Sequence, residues 1–383
     1  VRVVSYDKES GELVLHNYMD FDDLKDYVKI SYELTQDGLV ISKGILSEFS
    51  VASHGEGKTN LKISVPENGK CYLKLIYYLK KEMPLLEENH ILGFDEIEVS
   101  QKDAKCQLAE KWLEKTATDS ELQVNEDDTQ IHIKGREFAY TIDRRTALFT
   151  EMKFAGREYL NHPMELNIWR APTDNDMYIK AEWKKAHYDK AYTRAYTTEV
   201  VQGKHGVKIV SHASVVAETV QKILDVTITW KIDASGKIDA DIEATKDGEF
   251  PDLPRFGVRM FLDKKLSDAR YFGMGPQESY RDKHQAASHG LYRANVRDLH
   301  EDYIRPQENG SHYDCGYVEL NNSRYGIVAS AEKAFSFNAS YYTQEELEKK
   351  THNYELIESD SVVFCVDYAL NGIGSNSCGP VVL

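Results

Sequence analysis

Over the first hundred residues, apolar side chains recur at every second position in short runs separated by turn residues. Leu13 and Leu15 share a face in GELVLHNYM, and Val28, Ile30, Tyr32 and Leu34 share one in VKISYEL. In CYLKLIYYLK the same spacing gathers Cys71, Leu73, Leu75, Tyr77 and Leu79. Successive strand residues point to opposite faces, so each run predicts a strand with one buried side. TQDG and PENGK supply residues that close turns. About seven such strands in 100 residues predict an immunoglobulin-like β-sandwich over residues 1–101.

Residues 102–121 are charged and lack a period, which reads as a linker with a single helical turn. Strand patterns resume at Leu122 with TQIHIKG, EFAYTID and LFTEMKFAG. A hairpin follows in which Val226, Ile228, Trp230 and Ile232 alternate, Ser235-Gly236 turns, and Ile238, Ala240 and Ile242 return. Two short helices are predicted. TQEELEKK carries a capping pattern, Thr343 followed by Glu346, and IKAEWKKAHYDKA places Ala181, Lys184, Lys185 and Tyr188 at helical spacing. Strands and long helices do not alternate through residues 122–383. That excludes a parallel α/β domain or a TIM barrel and leaves a large antiparallel β-sandwich of about 260 residues.

Charge and composition narrow the partners more than the fold. A formal charge of −16 repels phosphate, so neither nucleic acid nor an anionic membrane is an expected partner. No run of about 18 apolar residues is present to form a membrane-spanning helix. Cys71, Cys106, Cys315, Cys365 and Cys378 are scattered, odd in number and without metal-type spacing, as for free thiols in a reducing compartment. The chain opens V-R-V-V-S-Y, with no initiating Met and no signal peptide, and is expected to be a stretch of a longer protein.

Three stretches combine residues that carry chemistry. In NIWRAPTDNDMY, Asp174 and Asp176 flank Asn175. On an extended strand their carboxylates would share a face about 6–7 Å apart, within reach of a glycosidase pair. The Asp-Asn-Asp cluster after Pro172 is more simply explained as an Asx-type turn, because Asp and Asn close turns through their own side chains. In FGMGPQESYRDKHQAASHGLY, Gly273, Gly275 and Pro276 mark a bend, and Glu278, Asp282, His284 and His289 are titratable groups on a loop. In YIRPQENGSHYDCGYVEL, Arg305, Glu308 and Asn309 can hydrogen-bond a sugar, and Tyr303, Tyr313 and Tyr317 can stack on one. The same composition also occurs on sandwich rims. From the residues alone the chain is a two-domain β protein, with carbohydrate binding open.

Read together, these stretches resemble a known family. WRAPTDND (169–176), GMGPQESYRD (273–282), RPQENG (305–310), FSFNASYYTQEEL (335–347) and NGIGSNSCG (371–379) are similar, in order, to motifs of the C-terminal domain of LacZ-type β-galactosidases. LHNYMDFDDL and ILGFDEIEV resemble the immunoglobulin-like domain before it. The resemblance implies an all-β chain: the sandwich at 1–101, a linker at 102–121, and a β-supersandwich of galactose mutarotase-like fold at 122–383. It also implies that the acid/base and nucleophilic glutamates and the magnesium ligands lie in a TIM barrel outside these residues. On that basis the chain holds no catalytic residue, metal or cofactor, and is inactive alone. The expected partners are the N-terminal and barrel domains of one cytoplasmic, homo-oligomeric enzyme and its β-galactoside substrate, hydrolysed with retention.

The resemblance places Asp174, Asn175, Asp176, Met177, Tyr178 and Cys378 beside the substrate cleft. It assigns Trp169, Arg170, Gln277, Glu278, Tyr280, Asp282, Arg305, Glu308 and Asn309 to structural or sugar-binding motifs. Cys378 stands where the family carries a Trp platform for the sugar, and a thiol lacks that stacking face, worth ~1 kcal/mol. The alternative is a stand-alone carbohydrate-binding or aldose mutarotase-like protein.

Overall fold

The computed structural model describes residues 1–113 and 122–374. The chain divides into two compact units, residues 1–112 with 288–292 and the remainder. Strands dominate both. Among the described residues no helix is long and apolar enough to cross a membrane.

The first unit holds seven strands in two sheets. Arg2–Tyr6, Glu12–His16 and Glu56–Asn60 form one; Leu39–Ile45, Val28–Gln36, Cys71–Leu79 and Ile91–Glu98, in that spatial order, form the other. The alternation read from the sequence is what packs them. Leu13, Leu15, Leu34, Cys71, Leu73 and Leu75 are fully buried in one core. Within the stretch expected to be a linker, Gln107–Leu113 is helical, with Cys106 and Ala109 buried. Its first amide donates to Asp37 Oδ2 at 3.2 Å, which ties the helix to the first unit. Residues 114–121 lie outside the described residues.

Three sheets build the second unit. A five-stranded sheet runs in the order Arg157–Glu158, Leu148–Phe154, Phe138–Asp143, Gln130–Lys134, Gln123–Glu126. A four-stranded sheet runs Tyr192–Gln202, Gly206–Ala217, Val220–Asp233, Ile238–Lys246. The predicted hairpin closes here in register, Ile228 opposite Ile242 and Trp230 opposite Ala240. Aromatic side chains join these two sheets. Phe149 stands edge-on to Tyr140 and Trp230, Trp230 Nε1 donates to Ala147 O at 2.8 Å, and Tyr140 Oη donates to Gly236 O at 2.7 Å.

The third sheet carries the chemistry-bearing motifs. Six strands of this seven-stranded sheet lie wholly within the unit, in the order Leu160–Asn167, Arg255–Asp263, Ser361–Leu370, Gly326–Ser340, Ser311–Asn321, Asp268–Gly275. Pairing is antiparallel from Leu160–Asn167 across to Asp268–Gly275. Ser361–Leu370 is interior and buried on both faces, which explains its unbroken apolar run VVFCV. Gly257 is required opposite it, because a Cβ there would meet Val366 O at 2.3 Å.

Several local expectations shift. The bend expected at Gly273 begins later: the strand continues to Gly275 and turns at a cis Gly275–Pro276 bond. The helix after Tyr178 spans Ile179–Lys185 and breaks at His187, whose φ is +57°. Its buried anchor is Trp183, which donates to Asp252 O at 2.9 Å. The predicted stripe of Ala181, Lys184, Lys185 and Tyr188 gave no place to that indole, whose area outweighs the smaller side chains. Thr343 caps Gln344–Lys349 as expected, its Oγ1 accepting from Glu346 N at 3.1 Å, while Glu346 accepts from Ile357 N.

Phe149→Ala should cost about 3–5 kcal/mol of stability by urea denaturation, because it empties the seam between two sheets. A loss below about 1 kcal/mol would mean the seam collapses over the void.

Candidate functional site

WRAPTDND leaves the edge of the seven-stranded sheet at Asn167, whose Oδ1 accepts from Trp169 N at 3.1 Å. Trp169 is buried edge-on to Trp183. Arg170 and Asp176 face each other with side chains 0% and 1% exposed. The pair is two-pronged: Nε reaches Oδ2 at 3.2 Å and Nη2 reaches Oδ1 at 2.7 Å. Asp176 also accepts from Thr173 N at 2.8 Å, folding residues 174–176 into a 3-10 turn. Asp174 has the opposite fate. Its side chain is 67% exposed and lies 3.6 Å from Arg305, while its backbone N–H donates to Gln307 Oε1 at 3.1 Å. The two aspartates therefore face different partners and do not form an acid/base pair. The stretch is a turn, as its composition led us to expect, and not an extended strand.

The guanidinium of Arg170 reaches further. Nη1 donates to Asn371 O at 2.7 Å and Nη2 to Gly372 O at 2.9 Å. Asn175 Nδ2 donates to Ile373 O at 2.8 Å. From the second motif, Asp282 accepts from Ile373 N at 3.0 Å and Gly374 N at 2.8 Å. Gly372 allows this approach, since a Cβ there would fall 2.6 Å from Asp282 Oδ2. Two motifs, 91 to 202 residues away in sequence, thus close on one four-residue segment of a third.

Glu278 is buried and takes four donors: Gly310 N at 2.8 Å, Tyr280 Oη at 3.4 Å, Lys283 Nζ and Tyr303 Oη. Burial, and then the carboxylates of Glu308 and Glu278, push the Tyr280 phenol well above its ordinary value. Ser279 N donates to Ser311 O at 2.7 Å, joining this loop to the next motif.

RPQENG supplies Glu308, whose N–H donates to Ala171 O at 3.0 Å. Its side chain is 2% exposed and shares the guanidinium of Arg255 with Asp367. Asp367 takes that guanidinium from Nε at 3.1 Å and Nη2 at 2.9 Å; Glu308 lies 3.4 Å from Nη1 and 3.5 Å from Nη2. Burial pushes both carboxyls up, against the pull of Arg255. Burial opposes the charge on Arg255 too, but its two carboxylates outweigh that and hold its pKa above the ordinary value. Asn309 accepts from Glu301 N at 3.0 Å and donates to Gln307 O at 2.9 Å. The sugar-contact candidates Glu308, Asn309 and Tyr317 are buried, so their polar groups face protein.

At the surface lie Met177, Tyr178, Gln277 and Arg305. Met177 and Tyr178 follow the 3-10 turn directly and lead into the helix Ile179–Lys185. Cys378 lies outside the described residues. The four described cysteines are free and buried. Among the described residues no group of three or more His, Cys, Asp or Glu side chains is arranged to hold a metal ion.

Residue-by-residue reading missed Arg255 and Asp367. Their signal was present: a lone Asp inside VVFCVDYAL and an Arg opening the strand RFGVRMFLD can sit in a sheet interior only as partners. It also missed His312, buried between Tyr271 and Phe337 with Nδ1 3.3 Å from Met274 O. Burial lowers its pKa to about 4.

Comparison with known proteins identifies this framework. The family "Beta galactosidase small chain" matches residues 134–383, and "Beta-galactosidase, domain 4" matches residues 13–100. The chain belongs to the β-galactosidase family. It is 42% identical over 372 residues to a β-galactosidase of Actinobacillus pleuropneumoniae, covering 97% of this chain and 36% of that protein. It is 30% identical over 376 residues to one from Staphylococcus xylosus, covering 97% and 37%. A β-galactosidase of Streptococcus thermophilus is 30% identical over 280 residues, or 70% of this chain and 26% of that one. The chain thus spans about a third of the length of the first two of these relatives and corresponds to the C-terminal part of such an enzyme.

Asp176→Asn should destabilise the chain by about 3 kcal/mol, because it strands a buried guanidinium. Asp174→Asn should stay within about 0.5 kcal/mol of the parent. Equal effects in urea titrations would contradict the division of labour between the two aspartates. His312 gives a pH test. A depressed pKa means its contribution is present above pH ~6.5 and is lost as pH falls toward 4. Relative to the parent, His312→Phe should therefore gain about 2–3 kcal/mol between pH 7.5 and 4.5. Parallel stability curves for the two proteins would show that His312 accepts a proton while folded.

Proposed function

We propose that this chain is the non-catalytic C-terminal part of a cytoplasmic, homo-oligomeric enzyme that hydrolyses terminal β-D-galactosides with retention. In this reading the paired catalytic glutamates and the magnesium site belong to a barrel domain elsewhere in the enzyme. The present residues stabilise the assembly and form one wall of the sugar cleft. The observation that carries the reading is the state of the motif carboxylates. Asp176, Glu278 and Glu308 are buried and bonded to Arg, Lys or backbone N–H groups within the unit. A glycosidase needs two carboxyls facing an open site about 5–10 Å apart, one of them free to give up a proton. Groups enclosed in this way serve as a scaffold, with Asp174, Met177, Tyr178 and Arg305 offered at its surface.

The isolated chain should leave o-nitrophenyl β-D-galactoside uncleaved. Mixed with the remaining N-terminal portion of the same enzyme, it should form a complex by gel filtration and restore hydrolysis. Failure of both would remove the accessory role. Saturable galactose binding, or accelerated anomer exchange by NMR with the isolated chain, would instead favour a stand-alone sugar-binding or mutarotase-like protein.

A further inference from the structure

Two loops of the first unit hold large apolar side chains away from its core, and both loops are firmly built. In the connection from Cys71–Leu79 to Ile91–Glu98, Pro84 and Leu85 form the centre of a tight turn. Met83 N donates to Leu86 O at 2.9 Å, and Leu86 N returns a bond to Met83 O at 3.0 Å. Leu85 takes a φ of +70° there, a conformation that ordinarily falls to Gly or Asn, yet its side chain is fully exposed. The loop after Glu12–His16 is pinned from below. Asn17, wholly buried, donates to Asp22 O at 2.9 Å and Val51 O at 3.0 Å and accepts from Met19 N at 3.0 Å. Ser53 Oγ donates to Met19 O at 2.7 Å. This loop presents Phe21 at 95% exposure. A strained backbone at Leu85 and two uncovered apolar side chains on ordered loops gain nothing from burial within the chain. They gain once another surface covers them.

The two loops meet at one place. Met19 from the first and Leu92, which follows the second, line a single cavity of about 290 Å³ with Val1, Tyr27, Tyr77 and Phe94. The chain matches the C-terminal part of its relatives and spans about a third of their length, so the larger part of such an enzyme joins the first unit at this cavity. Consecutive parts of a chain usually pack as neighbours, and a tether at Val1 keeps the preceding part at high effective concentration here. We propose that the apolar end built from Met19, Phe21, Leu85 and Leu92 is the docking surface for the part of the enzyme that precedes Val1. The proposal rests on reading this chain as one part of a larger assembled enzyme and is independent of the reaction that enzyme performs.

Binding of the 383-residue chain to the separately produced preceding part, measured by calorimetry, tests the surface. Phe21→Asp and Leu85→Asp should each weaken binding at least about tenfold, with the thermal stability of the chain unchanged. Tyr354→Asp and Ile357→Asp alter exposed apolar residues of the second unit and should bind within about twofold of the parent. Hydroxyl-radical labelling of Phe21 and Leu85 should fall severalfold in the complete enzyme relative to the isolated chain. Equal labelling, or binding by the Phe21 and Leu85 variants within about twofold of the parent, would overturn the proposal. So would a dimer of the isolated chain that these two substitutions dissociate, since the surface would then serve a second copy. Hydrolysis of o-nitrophenyl β-D-galactoside by the complex judges the galactosidase reading separately: an inactive complex that depends on Phe21 and Leu85 leaves the docking surface in place.

Discussion

The guanidinium of Arg255 is shared by Asp367 and Glu308 with none of the three side chains reaching water, and the second unit's motifs hang from that arrangement. Desolvating three charges costs several kcal/mol each, and the cost is offset only where geometry keeps every group paired. Asp367 comes from the interior strand Ser361–Leu370, Arg255 from its neighbour, and Glu308 from the loop before Ser311–Asn321. Setting Glu308 in place also sets its backbone, which bonds Ala171, and two residues later Gly310, which bonds Glu278. The ion cluster therefore fixes the spacing of three sequence motifs at once.

Above it, Arg170 repeats the same physics on a smaller scale. Its partner Asp176 satisfies two of its nitrogens, and the remaining donors capture backbone carbonyls of the last described residues. Polar recognition of peptide groups replaces apolar burial where the chain has glycines and nothing large to pack. Motif residues left at the surface include Asp174, Met177, Tyr178, Gln277 and Arg305, while the buried carboxylates Asp176, Glu278 and Glu308 are engaged within the unit.

Much of the architecture was legible in the pattern of apolar positions. Period-two alternation located the core of the first unit through Leu13, Leu34, Leu73 and Leu75, and it placed the hairpin at Ser235-Gly236. These succeed because burial of one face requires only local spacing. The turn at Asp174–Asp176 was legible in composition, but its two aspartates could not be told apart. Their difference depends on Arg170 on one side and Arg305 on the other, the latter 129 or more residues away. The reading of Glu308 and Asn309 as sugar contacts was blind to depth for the same reason: a polar residue in a loop motif looks alike whether it faces solvent or a buried guanidinium.

By itself the sequence determined the all-β class, the alternating strands around Leu13, Leu34 and Leu73, the hairpin at Ser235-Gly236 and the set of motifs that mark a β-galactosidase. Those depend on periodicity, turn chemistry and the order of residues along the chain. Tertiary structure alone decided which charges meet. Arg255 finds Asp367 across 112 residues and Asp282 finds Gly374 across 92, through strand order and register in a seven-stranded sheet. Electrostatic pairing and desolvation act through space, and only the folded arrangement sets those distances.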